Sequence, residues 1–97
     1  MSTKEELHYA PDIAAKAVIE LTNAMRDPNG REYAKALLID PRMTSNYGLM
    51  ASCGLTTREV KRVKARMTEG LPTLEAQKRA IEFLSKLENE QEIVHGG

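Results

Sequence analysis

Several residue types are scarce in this chain, and each scarcity excludes a class of protein. A single cysteine, Cys53, cannot form an internal disulfide, so nothing implies an oxidising compartment. Tryptophan is absent, and three Tyr and one Phe are the aromatic residues, so the core must be aliphatic. No apolar run approaches the roughly 18 residues of a membrane span, and residues 1–12 lack the apolar stretch of a signal peptide. We therefore expect a cytoplasmic protein with no membrane partner.

Residue patterns that carry catalysis or hold a metal are scarce as well. His8 and His95 lie near opposite ends of the chain and form no metal-binding spacing. There is no glycine-rich phosphate loop, no Ser/His/Asp set and no closely spaced pair of carboxylates. Cys53 has no accompanying His or Asp pattern, so we expect a small buried residue there. The sequence predicts no enzyme, no cofactor and no metal site.

What is present is the composition of one soluble domain with an uneven charge distribution. The 97 residues are 41% hydrophobic and 29% charged, which is ordinary for a globular domain spanning 1–97. The net charge is zero, but residues 41–70 hold six Lys or Arg against two Glu. The flanking segments are acidic. Such a segregated basic patch attracts phosphate even when the whole chain is neutral.

The spacing of apolar residues predicts an all-α domain of about five helices. Apolar residues recur every three or four positions, and no segment alternates as a half-buried strand does. Pro11 suits the start of a first helix, which the turn residues 27–30 end. A second helix is expected at 31–39, closed by Asp40-Pro41. The ends at 1–9 and 93–97 are expected to fray.

Three further expectations concern the remaining helices and the core. Thr44 or Ser45 caps a third helix running to about Cys53, and Thr73 caps the last helix. An apolar stripe on that last helix is formed by Ala80, Ile81, Leu84 and Leu87. The methionines expected in the core are Met25, Met43, Met50 and Met67.

The most informative stretch is residues 46–63, where two short helices meet at Gly54. Glycine accepts the positive φ that a sharp turn between helices needs. Leu49 and Cys53 are four apart and share a face of the first helix. Val60 and Val63 share the inner face of the second. The sequence thus predicts two helices that cross closely.

The start of the second helix is marked by its own capping signal. Thr56 and Glu59 form a T-x-x-E capping box, in which each side chain bonds the backbone N–H of the other residue. The second helix therefore begins directly after the turn, at Thr57, and runs to about Met67.

This arrangement resembles the helix-turn-helix of phage and bacterial repressors and Cro-like proteins, over residues 46–66. That family places an aliphatic residue and then a polar helix start after the turn glycine, followed by two inward aliphatic residues. The matching positions here are Gly54, Leu55, Thr56, Thr57, Val60 and Val63. The family usually has alanine four residues before the turn glycine. Here that position is Met50, so the helix crossing is looser or the first helix is rotated.

The resemblance implies a small dimeric transcriptional regulator of phage or plasmid type, with a helix-turn-helix at about 45–67. Its helix 57–67 would read the major groove of double-stranded DNA. Arg58 would pair with a guanine, as would Lys61 or Arg62, while Lys64 and Arg42 would contact phosphates. The full set of implied DNA-binding residues is Thr57, Arg58, Lys61, Arg62, Lys64, Arg66, Arg42, Ser45 and Asn46.

Other interpretations fit the same pattern. The helices can be an ordinary hairpin, and the cations a solvated face, although Glu59 and Glu69 alone are available nearby to neutralise them. The protein can be a protein-binding module, such as a phage-encoded inhibitor of a host protein, or a DNA-packaging or replication accessory. Solvent-facing Arg58, Lys61 and Arg62 on a two-fold dimer would favour DNA. The first helix and the last helix remain equal candidates for the dimer surface.

Overall fold

A computed structural model of the protein describes residues 9–67 and 69–96, with residues 91–96 described by their backbone alone. These residues form six helices and no strand, which confirms the all-α prediction. Two of the helices are single turns. In chain order the helices are α1 (Pro11–Arg26), α2 (Arg31–Ile39), α3 (Pro41–Thr44), α4 (Leu49–Ser52), α5 (Thr57–Met67) and α6 (Leu74–Gly96).

Local signals in the sequence set most helix boundaries as predicted. Pro11 is the first residue of α1, where its missing N–H costs no hydrogen bond. The Asp27 side chain accepts from the Asn29 N–H at 2.9 Å in the turn that follows α1. The hydroxyl of Thr73 accepts from the Ala76 N–H at 3.2 Å and caps α6. The expected caps and turns are confirmed at these positions.

The third helix differs from its prediction. Instead of one helix over 45–53, the structure has two single turns, α3 and α4, joined by residues 45–48. Ser45 ends α3, and Gly48, which has no side-chain cap, begins α4. A Cβ at Gly48 would lie 2.6 Å from the carbonyl oxygen of Arg42. Glycine at position 48 lets these two backbone segments approach closely. Because α4 begins after Gly48 without a side-chain cap, the prediction that Thr44 or Ser45 caps this helix was wrong.

Helix α2 lies at the centre of the core. It packs against α1, α3, α5 and α6, and six of its nine residues, 33–38, are buried. The core is aliphatic as expected, with Tyr33 as its one buried aromatic among the described residues. The residues that α1 and α6 bury in this core are Ile13, Ala14, Ala17, Leu21, Ala24, Ala76, Ala80, Leu84 and Leu87.

Four expectations about individual residues were wrong. Cys53 is exposed at the end of α4 rather than buried. Met25 is 41% exposed because α1 turns its Leu21 and Ala24 inward instead. Ile81 is 52% exposed, since the buried stripe of α6 begins at Ala76 and turns position 81 outward. Tyr9 was expected to lie in the frayed end 1–9, but its hydroxyl donates to Glu88 Oε2 at 2.7 Å, which ties it to α6.

Both ends of the chain were predicted to fray. Residues 1–8, including His8, and residue 97 lie outside the described residues, so the fraying of 1–8 stays a prediction. Helix α6 continues through Gly96, so the segment expected to fray is helical as far as residue 96. Within the described part of the chain, no helix has the length and apolar character needed to cross a bilayer.

Candidate nucleic-acid interface

The turn between α4 and α5 is closed by backbone hydrogen bonds around Gly54. The Gly54 N–H donates to the Ala51 carbonyl at 3.0 Å, and the Leu55 N–H donates to the Met50 carbonyl at 3.2 Å. Gly54 has φ = 104°, a conformation that residues with a Cβ rarely adopt. A Cβ there would meet nothing within 4 Å, so the requirement is conformational rather than spatial. The sharp turn predicted at Gly54 is confirmed.

The predicted capping box at the start of α5 is confirmed in both directions. The Thr56 N–H donates to Glu59 Oε1 at 2.9 Å, and the Glu59 N–H donates to Thr56 Oγ1 at 3.2 Å. The backbone N–H and then the hydroxyl of Thr56 lower the pKa of Glu59, with a smaller contribution from Arg62. This reciprocal pair satisfies two N–H groups that the first turn of a helix leaves without partners.

The inner face of α5 is narrow. Val60 is buried at 7% exposure, and Val63 and Met67 are half-buried against the core, as predicted. The departure at Met50 has a structural counterpart: Met50 is itself buried, at 2% exposure. Helix α5 packs mainly against α2 and makes a smaller contact with α4. The helix pair is therefore held together largely through a third helix.

The outer face of α5 presents a row of cations to solvent. All six predicted contact residues on this helix are exposed: Thr57, Arg58, Lys61, Arg62, Lys64 and Arg66. Within the described ranges, Arg58, Lys61, Arg62 and Arg66 form no ion pair and no side-chain hydrogen bond. These four charges are therefore solvent-exposed and are not held in ion pairs.

An open cleft of about 220 Å³ separates the start of α5 from the loop that precedes α4. The cleft is lined by Thr44, Ser45, Asn46, Ala51, Leu55, Thr57, Val60, Lys61 and Lys64. Five predicted DNA-binding residues thus meet at one place, two from the loop and three from the helix. Arg58, Arg62 and Arg66 do not line the cleft and lie on the remaining exposed surface of α5.

Ser45 and Asn46 reach this cleft from a position that differs from the prediction. They were expected to begin the helix before the turn and to offer helix N–H groups to phosphate. They are instead exposed residues of the 45–48 loop, with Ser45 ending α3. Both residues still line the cleft. The predicted location was therefore right, and the predicted helical backbone at these two residues was wrong.

Arg42 does not belong to this surface, which corrects its predicted role as a phosphate contact. Its guanidinium donates to both Asp40 carboxylate oxygens, at 3.0 and 2.9 Å, and to Glu88 Oε1 at 3.0 Å. A further bond reaches Ser85 Oγ at 3.2 Å. Burial raises the pKa of Asp40, but the bonds from Arg42 outweigh it and lower that pKa overall. Arg42 is therefore committed to joining α3 to α6.

Sequence reasoning missed a second cleft on the other side of the loop. This cleft of about 420 Å³ is lined by Tyr9, Pro41, Arg42, Ser45, Asn46 and Tyr47. Ser45 and Asn46 therefore form a ridge between a basic cleft and an aromatic one. No local signal could have predicted this, because Tyr9 is brought to the loop by tertiary contacts with Ser52 and Glu88.

No metal centre accompanies the surface: among the described residues, no three His, Cys, Asp or Glu side chains are grouped so as to hold an ion. Comparison of the chain with protein-family models, with curated proteins and with solved structures found no match. The geometry of α4, the turn and α5 is therefore the basis for the function proposed below.

Proposed function

We propose that the protein is a small transcriptional regulator that binds double-stranded DNA sequence-specifically, with α5 in the major groove. The observation that carries the proposal is the outer face of α5: four exposed cations that form no ion pair within the described part of the chain, on a helix whose start is capped. A solvated helix normally mixes charges of both signs, as α6 does. The face of α5 suits a polyanion instead.

The contact residues divide by their position on the helix. Arg58 and Lys61 lie on the exposed side near the start of α5, the part of a recognition helix that reaches base edges. A bidentate Arg–guanine contact discriminates against the wrong base by about 1–3 kcal/mol. Lys64, with Ser45 and Asn46 across the cleft, faces the position that a phosphate strand would occupy beside the groove. Arg42 has no part in this assignment.

The charge distribution supports specific binding over non-specific binding. Residues 41–70 carry six Lys or Arg against two Glu, while the chain as a whole has zero net charge. The local patch attracts phosphate, and the acidic remainder of the surface repels a long polyanion that approaches elsewhere. We propose that the protein acts in the cytoplasm as a homodimer, because a single reading helix usually recognises an inverted repeat in pairs.

The test is selection from a random double-stranded DNA library with wild type, Arg58→Ala and Lys78→Ala in parallel. Lys78 is an exposed lysine of α6 that lies outside the basic face. We expect wild type and Lys78→Ala to enrich the same inverted repeat, and Arg58→Ala to lose preference at one base of each half-site. Absence of any enriched sequence for wild type at low salt would overturn the proposal.

A protein-binding module is the second candidate, and one observation favours it. Leu71 and Leu74, beside the start of α6, are 82% and 76% exposed. Neighbouring exposed leucines are a common feature of protein-binding surfaces. Leu74→Ser separates the two candidates: it leaves DNA selection unchanged under the leading proposal, because Leu74 lies outside both the cleft and the outer face of α5.

A further inference from the structure

The outward face of α1 carries three exposed residues in one line. Asp12, Ile19 and Arg26 are each seven residues apart, so they recur at nearly the same angle around the helix. Ile19 is 59% exposed and lies midway between an acid and a base. At 1.5 Å per residue, the acid and the base are about 21 Å apart along the axis. None of these residues lines the clefts beside α5.

The surroundings of Ile19 are small and uncharged on one side. Ala15 is half-buried and Thr22 is exposed, four residues before and three after Ile19. The Thr22 hydroxyl donates to the Val18 carbonyl at 2.8 Å, so this polar group is already satisfied within α1. Met25, 41% exposed, continues the apolar side. Small residues beside a larger one allow two helices to approach closely.

The two charges at the ends of this line have no ion-pair partner in the described part of the chain. The neighbouring cation, Lys16, is paired with Glu90 of α6 at 2.9 Å. Neither Asp12 nor Arg26 makes such a pair. The line therefore combines an exposed apolar centre with one exposed charge of each sign at its ends, and neither charge is held in an ion pair.

We infer that this face of α1 is the dimer surface, and that its occupant is α1 of a second copy in antiparallel orientation. A two-fold axis through Ile19 places Ile19 against its own copy, and a two-fold interface must be self-complementary. The same axis brings Asp12 of each copy opposite Arg26 of the other. A parallel pairing would instead place Asp12 beside Asp12, so the charges select the antiparallel arrangement.

The competing surface on α6 lacks this pattern. Leu74 and Ile81 are also exposed and seven residues apart. The next position of that line is Glu88, which already accepts hydrogen bonds from Arg42 and Tyr9. Among the described side chains of α6, no base continues this line, so these residues lack the opposite charges at equal distances that Asp12 and Arg26 provide on α1.

The face of α1 is thus the surface through which the homodimer of the proposed function would form. The assumption that two copies associate rests on that proposed function. Its test needs no DNA, so the two can fail separately. Loss of DNA binding with an intact α1 dimer would overturn the proposed function alone. Selection of a DNA sequence by a wild type that is monomeric in the mass measurements would overturn this inference and the proposed homodimer, but not sequence-specific DNA binding by α5.

The experiment measures molecular mass by sedimentation over a range of concentrations for four proteins. Wild type is expected to be a dimer. Asp12→Arg places two bases opposite each other at both ends of the interface, and Arg26→Asp places two acids there. Each is expected to raise the dimer dissociation constant by about tenfold or more. The double variant, Asp12→Arg with Arg26→Asp, restores both pairs and is expected to return to the wild-type value.

Mixing provides the sharpest version of the same test. Asp12→Arg carries a base at both ends of the line, and Arg26→Asp carries an acid at both ends. We expect an equimolar mixture of the two to form a heterodimer, although each variant alone is largely monomeric. Ile19→Asp is expected to give a monomer with an unchanged circular dichroism spectrum, since Ile19 is an exposed side chain.

Ile81→Asp is the matched control on α6, because Ile81 is exposed to a similar degree, 52% against 59%. It is expected to leave the dimer intact. A monomeric wild type at all concentrations would overturn the inference. So would a dimer that Ile81→Asp dissociates and Ile19→Asp does not, or a charge-swapped double variant no better than either single variant.

Discussion

Helices α2 and α5 pack against each other but differ in how many of their side chains are buried. Six of the nine residues of α2 are buried, whereas Val60 is the one buried residue of α5, which has eleven. Helix α2 is surrounded by α1, α3, α5 and α6, while α5 rests mainly on α2. The core therefore supports α5 along one narrow stripe and leaves the rest of its surface to solvent.

The cations of the two helices show the same contrast. Lys35 of α2 has a side chain that is 8% exposed and lies 3.4 Å from Glu32 Oε2. The other oxygen of Glu32 accepts from the Thr73 N–H at 3.1 Å, which ties α2 to the start of α6. A buried charge needs such a partner. Arg58 and Arg62 of α5 form no ion pair among the described residues, and they need none because water solvates their exposed side chains.

The largest expected effect is the loss of stability caused by a substitution of a buried residue in α2. Leu37, which is 0% exposed, lies in the centre of the core. Leu37→Ala should lower the free energy of unfolding by about 2–5 kcal/mol, because it removes buried methyl groups and leaves a cavity. Arg62→Ala on the outer face of α5 should change it by less than about 0.5 kcal/mol. Urea unfolding followed by circular dichroism measures both; equal losses would show that α5 is part of the core.

A smaller effect is expected on DNA affinity, and it distinguishes the proposed roles of Arg58 and Lys64 in α5. Lys64→Ala should weaken binding to every duplex alike and reduce the slope of log affinity against log salt by about 1, if Lys64 makes the proposed phosphate contact. Arg58→Ala should lower preference for the selected sequence over a scrambled one. Fluorescence anisotropy titrations at several salt concentrations distinguish the two. An equal loss of sequence preference from both variants would contradict the assignment of Arg58 to a base.

The smallest effect concerns the capping box and its dependence on pH. Thr56 lowers the pKa of Glu59 below its ordinary value of 4.5, so the Glu59 carboxylate stabilises the fold above that value. The contribution is lost as pH falls through the lowered pKa. Glu59→Gln should therefore lower the melting temperature at pH 7, and the difference from wild type should vanish near the acid end of the scan.

Thermal melts between pH 7 and pH 3 measure this difference, with Thr56→Ala as the reference background. In that background Glu59 has lost the hydroxyl that it bonds, so Glu59→Gln should have a smaller effect at pH 7. A difference that persists unchanged at pH 3 would show that the capping box does not act through the Glu59 charge.

Where short-range signals decide the structure, prediction from sequence succeeded. The Thr56–Glu59 box, the Thr73 cap and the end of α2 at Asp40-Pro41 each involve groups within a few residues of one another. The inner face of α5 followed from helical periodicity at Val60 and Val63. Such features depend on local backbone geometry, so a single sequence contains the information needed to predict them.

Prediction failed where a residue's neighbours come from distant parts of the chain. Arg42 was assigned to phosphate because it lies in a basic segment, but the fold places it against Glu88, 46 residues away. Its close partner Asp40, two residues earlier, was the one local sign of that role. Ile81 and Cys53 fit an apolar stripe by spacing, yet both are exposed, because Ile81 lies off the buried stripe of α6 and Cys53 follows the last residue of α4.

The sequence by itself determined an all-α chain, the sharp turn at Gly54 and a basic, capped helix directly after it, because these depend on spacing, capping and glycine conformation. The tertiary structure alone decided which cations stay free. It committed Arg42 to α6, buried Lys35, and brought Ser45 and Asn46 beside Thr57, Lys61 and Lys64. Burial and ion pairing depend on which elements meet in space, and the packing of α2 against its four neighbours settles that.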